Sequence, residues 1–122
     1  MAEYLPLHDD GDSFTRQASA AITGGQLVRV SGSGTVAPVT AASADWVGIA
    51  AFDASNGDNV TVYCGGVQRL TASAAVTAGQ TLEGAASGQV APHTNGTNDT
   101  NIVGLALTSA ASGATVEVKL VR

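Results

Sequence analysis

Apolar and polar positions alternate in short runs along this chain, and nowhere does a 3.6-residue apolar period persist for three turns. Residues 59–64 alternate strictly, with Val60, Val62 and Cys64 on one face and Thr61 and Tyr63 on the other. Residues 115–121 repeat the pattern, turning Val116, Val118 and Leu120 toward a core and Thr115, Glu117 and Lys119 outward. Period-two alternation predicts half-buried strands. Residues 45–52 are instead largely apolar, which suits a strand covered on both faces. Shorter strands are expected at 13–18, 26–30, 35–38 and 67–70, with turns at 23–25, 31–34 and 53–58. Pro38 belongs at an edge or a strand end. Gly65-Gly66 marks a bulge or a sharp bend, and residues 41–44 form either a single helical turn or a loop. With the second half included, about ten short strands result. The expected fold class is all-β, a small barrel or sandwich.

The pattern is written twice. Ala20-Ala21-Ile22-Thr23-Gly24-Gly25-Gln26 returns as Ala74-Ala75-Val76-Thr77-Ala78-Gly79-Gln80, and Gly34-Thr35-Val36-Ala37-Pro38 as Gly88-Gln89-Val90-Ala91-Pro92, both 54 positions on. Val47-Gly48-Ile49-Ala50 returns as Val103-Gly104-Leu105-Ala106, and Asn59-Val60-Thr61-Val62 as Thr115-Val116-Glu117-Val118, now 56 positions on. The second copy therefore carries two extra residues, placed within 94–101. Two copies are too few for a solenoid, so they are expected to be two similar halves of one domain. The pseudo-repeat runs over about 20–70 and 74–121 of a single β domain at 14–122. Residues 1–13 stand outside it. Tyr4-Leu5-Pro6-Leu7 is apolar and His8-Asp9-Asp10-Gly11-Asp12 acidic, and Pro6 pushes Leu5 toward an extended backbone. This segment reads either as a frayed terminus or as an extended arm whose Tyr4, Leu5 and Leu7 dock on a partner by adding a strand to a sheet edge.

Composition narrows the class. Charged residues are 12% of the 122, about half the usual share, and Gly, Ala, Ser and Thr take their place. A surface of small, weakly charged side chains suits close contact with other protein. The net charge of −5 and five scattered basic residues (Arg16, Arg29, Arg69, Lys119 and Arg122) offer no stripe for nucleic acid. No apolar run has the length to span a bilayer, and the start lacks the basic and apolar regions of a secretory signal. Lone Cys64 fits synthesis in a reducing cytoplasm.

Candidate chemistry is sparse. His8 and His93 lack the spacing of a zinc motif, and Asp45, Asp53 and Asp58 do not match a calcium loop; Asp53 and Asp58 read as turn-formers. Cys64 reads as a small buried hydrophobe without a neighbour to activate it. The Gly-rich pieces form neither a P-loop nor a dinucleotide fingerprint. No catalytic, cofactor-binding or metal-binding residue is assigned, and an enzyme is not expected.

The segment Val47-Gly48-Ile49-Ala50, Gly57-Asp58, Val60-Thr61-Val62-Tyr63 and Gly65-Gly66-Val67, together with the Thr77-Ala78-Gly79-Gln80 turn, resembles the small capsid decoration (cement) proteins of tailed bacteriophages. The similarity covers about residues 3–122, and the head-stabilising proteins of lambda-like phages show a related, looser order. The resemblance implies a β-rich, non-enzymatic structural protein of the virion. It would sit on the outer capsid surface as a homotrimer, bound to the major capsid protein and steadying that lattice against packaged DNA. It needs no cofactor. The contact residues Tyr4, Leu5 and Leu7 are an expectation from the arm's composition alone. A virion-surface adhesin, binding host glycan through Trp46 or Tyr63, is the alternative.

Overall fold

A computed structural model describes residues 13–122 of the chain. The ten strands are β1 (Ser13–Ala18), β2 (Leu27–Gly32), β3 (Thr35–Pro38), β4 (Trp46–Ala50), β5 (Asn59–Tyr63), β6 (Val67–Thr71), β7 (Thr81–Ala85), β8 (Gln89–Pro92), β9 (Ile102–Ala106) and β10 (Thr115–Leu120). The first five close into a barrel in the order β1-β3-β2-β4-β5, sealed where β1 runs antiparallel to β5 and parallel to β3. The other five form a sheet in the order β6-β10-β9-β7-β8, whose two edges meet at a parallel bridge between Ala72 and Val90. The all-β class of two similar halves is therefore what the chain adopts.

Turn bonds and bridges recur between the halves. The Thr23 amide donates to Gln26 Oε1 and the Thr77 amide to Gln80 Oε1, each at 2.8 Å. Gly24 donates to Asp53 Oδ1, and its counterpart Ala78 donates to Ser109 Oγ. Bridges Ile22–Ala54 and Val76–Ala110 recur, as do register shifts after Val28 and after Leu82. Gly48 and Gly104 illustrate why the repeat keeps its glycines. A Cβ on either would collide with a backbone carbonyl of the neighbouring strand, Tyr63 in one half and Lys119 in the other. Only glycine lets the strands approach so closely.

Alternation was a sound guide to burial. Val60, Val62, Val116 and Val118 are fully buried, and Leu120 nearly so. Trp46, Gly48, Ile49 and Ala50 are buried as expected of a covered strand, whereas Val47 is only half-buried and Phe52 beyond them is half-exposed. Residues 41–44 form a loop, and Gly65 and Gly66, both at positive φ, make the bend between halves. Cys64 departs from expectation: it lies past the end of β5 and is only half-buried, because the bend turns it out of the alternation.

The core is divided unequally. A small cluster of Ala18, Ile22, Val28, Val36, Ala50, Ala54, Val60 and Val62 fills the first barrel. A larger one joins Leu27, Val39, Trp46 and Ile49 of the first half to Leu70, Leu82, Val90, Val103 and Val118 of the second. The first half thus packs into the second. At this seam a Cβ on Gly84 would strike Val39, and the Gly88 amide donates to the Val39 carbonyl at 2.8 Å.

Candidate functional site

The outer face of the second sheet carries a row that registration aligns. Val67 on β6 faces Lys119 on β10, Lys119 faces Leu105 on β9, and Leu105 faces Thr81 on β7. Cross-strand partners share a face, so these side chains stand together. Val67 and Leu105 are exposed, as are Leu107, Val121 and Tyr63 nearby in sequence or fold. Arg69 and Glu117, partners across β6 and β10, stand on the same face as Val67 and Lys119. A groove of about 680 Å³ runs along the seam beside this face, walled by Ile49, Ala51, Tyr63, Val67, Arg69 and Glu117. It is open and mixed in polarity, so it lacks the enclosure that holds a small ligand.

Arg122 fastens the two halves. Its guanidinium lies 4.4 Å from the centre of the Trp46 ring. Nη1 donates to the carbonyls of Ala44 and Trp46, each at 3.0 Å, and Nη2 to Thr100 at 3.4 Å. A planar cation on an aromatic face, with its N–H groups spent on loop ends, is a use for which Arg is better suited than Lys.

The two extra residues of the second half make room for a cluster around His93. His93 follows β8, in the place of fully buried Val39 in the first half, and its side chain is 2% exposed. Nδ1 meets Glu83 Oε1 at 2.9 Å and Nε2 meets Asp99 Oδ1 at 3.0 Å. Carboxylates only accept, so making both bonds at once requires both ring nitrogens to donate, which is the imidazolium form. The hydrogen bond to Asp99, then those to Glu83, hold the His93 pKa above its ordinary 6.5 against burial, which pulls the other way. Asp99 is held below its ordinary value by His93 and by the Gly96 amide at 2.9 Å. The two carboxylates grip opposite sides of the ring and do not converge on a point. Among the described residues no group of three His, Cys, Asp or Glu is arranged to hold a metal. The cluster clamps the loop at 94–101 to β7 and β8.

Tyr4, Leu5, Leu7 and His8 lie outside the described residues. Trp46 is fully buried under Arg122 and presents no ring to a sugar, while Tyr63 is 47% exposed. Asp58 accepts from the nearby Ser55 amide as a turn-former does, whereas Asp53 reaches across the chain to Gly24. Burial pushes the Cys64 thiol up, away from the thiolate that chemistry would need. Sequence reading missed the His93 cluster and the Arg122 clamp. The lengthening of the repeat between Pro92 and Ile102 was the available signal for the first; nothing local announced the second.

The family model described as phage cement protein matches residues 8–121. Among solved structures, the N base of the head fiber protein gp8.5 of bacteriophage phi29 aligns with a TM-score of 0.67 and 22% identity, covering 89% of this chain and 92% of that one. At that identity the likeness is one of fold. No curated protein matches.

Proposed function

The chain belongs to the phage cement protein family, a structural protein of the virion, and from that premise we propose that it binds the outer surface of a phage head as a homotrimer. Its partner there is the major capsid protein, and its work is to hold that lattice against the outward pressure of packaged DNA. The observation that carries this reading is the family match over residues 8–121. The molecule's surface supports it. Weakly charged, small side chains interrupted by exposed Val67, Leu105 and Val121 favour contact that excludes water. Three linked copies touching several capsomers multiply weak contacts into firm attachment. No reacting group is required. We assign Tyr4, Leu5 and Leu7 to the capsid contact on the composition of the segment that carries them.

Cosedimentation with phage heads stripped of the protein tests the reading. Saturable binding is expected, together with retention of DNA on heating that bare heads do not show. Removing residues 1–12 should lower the affinity at least tenfold. Heads that neither bind the chain nor gain heat resistance from it would overturn the function.

A further inference from the structure

The repeat exposes an asymmetry with a consequence for assembly. In the second half, Leu70, Val90 and Val103 share one core with the plug supplied by the first half, Leu27, Val39, Trp46 and Ile49, and Gly84 lies against Val39 and Leu27. The positions equivalent to that socket in the first half are Arg16, Val30, Val36 and Val47 (54 residues earlier for three of them, 56 for Val47). All four line a groove of about 260 Å³, and among the described residues nothing fills it; Val30 is 47% exposed. The positions equivalent to the plug in the second half are Thr81, His93, Ile102 and Leu105. Leu105 there is 40% exposed, where its counterpart Ile49 is 4% exposed. Among the described residues, then, the first half leaves its socket unfilled and the second half leaves Leu105 of its plug exposed, while His93 is buried in its own clamp.

We propose that the Thr81–Leu105 face of one copy docks into the Arg16–Val47 groove of another, repeating between molecules the contact already made within one. Charge favours this occupant. Arg16 is the charged residue of the socket, standing where Leu70 stands in the second half, while the plug carries Glu83 and Asp99 about the His93 ring, two carboxylates for one cation and so a net negative charge. The like contact is head-to-tail, so copies must close into a ring or grow without limit. The inference rests on the trimer of the proposed function, which is its closed form.

Two variants on the full chain test it, Val30→Asp in the socket and Leu105→Asp in the plug. Both positions are exposed, so the fold should survive. Should either lose its native circular dichroism, Val30→Lys and Leu105→Lys replace it. Light scattering behind a sizing column should give a closed ring for the unaltered chain and monomers for each variant alone. Mixed in equal amounts, the two variants should give a dimer and nothing larger, because one intact plug meets one intact socket and both outer ends are blocked. A face-to-face contact gives no such rescue. Variants that keep the unaltered mass overturn the inference and leave the trimer standing. Loss of association on removal of residues 1–12, with both variants unaffected, assigns the contact between copies to the N-terminal segment, away from the groove, and likewise overturns it. An unaltered chain that stays monomeric at every concentration overturns both the inference and the trimer in solution, while cosedimentation with heads judges the capsid role separately.

Discussion

His93 is the residue whose behaviour is most sharply determined by its surroundings. Its pKa is raised in the fold, so its pairing contributes fully below the unfolded value of about 6.5 and is lost as pH rises through the folded one. Asp99 is lowered, so its contribution is present above about 3.8 and is lost as pH falls through the folded value. Stability from this cluster should therefore plateau between about pH 4 and 6.5 and decline on both sides. Thermal melts from pH 4 to 9 check the upper arm, which His93→Gln should flatten. Gly104 makes a second claim at this scale. Gly104→Ala forces a methyl into the Lys119 carbonyl, with Val118 behind it. Overpacking against backbone costs roughly 1–3 kcal/mol or more, and Gly48→Ala should cost about the same; urea midpoints measure both. Matching penalties would express the repeat in energy.

At the scale of elements, local pattern and long-range registration divide what could be read beforehand. The alternation of Val60 with Val62 and of Val116 with Val118 named the buried faces of β5 and β10, because side-chain direction is a property of one strand. Turn glycines marked most of the joins. The closure of the first barrel did not follow from any of this. It depends on Phe14 facing Val62 and Ala18 facing Val36, pairings between segments with no mutual signal in sequence. The candidate sites divide in the same way. His93 was visible, but its partners Glu83 and Asp99 become neighbours only through the β7–β8 register and the lengthened loop. Trp46 looked available until Arg122, 76 positions away, was seen to cover it. Arg122→Lys should cost about 1–2 kcal/mol, since an ammonium cannot stack and donate to separate loop carbonyls at once. Chemical denaturation reads that loss, and Arg122→Ala should do no less damage.

For the whole molecule, the shared core decides how it comes apart. The second half depends on Leu27, Val39, Trp46 and Ile49 from the first, while the first has its own smaller cluster. Parting the halves exposes apolar surface on both, including Leu27, Val39, Trp46 and Ile49 of the first. Trp46, the single tryptophan, lies between them and is fully buried. Its indole is consequently a built-in optical gauge of the seam. Red-shifted emission should accompany separation of the halves, whereas far-ultraviolet dichroism follows the strands themselves. Under rising urea the two signals should coincide in the unaltered chain and part company in Arg122→Ala, with the light from the indole changing first.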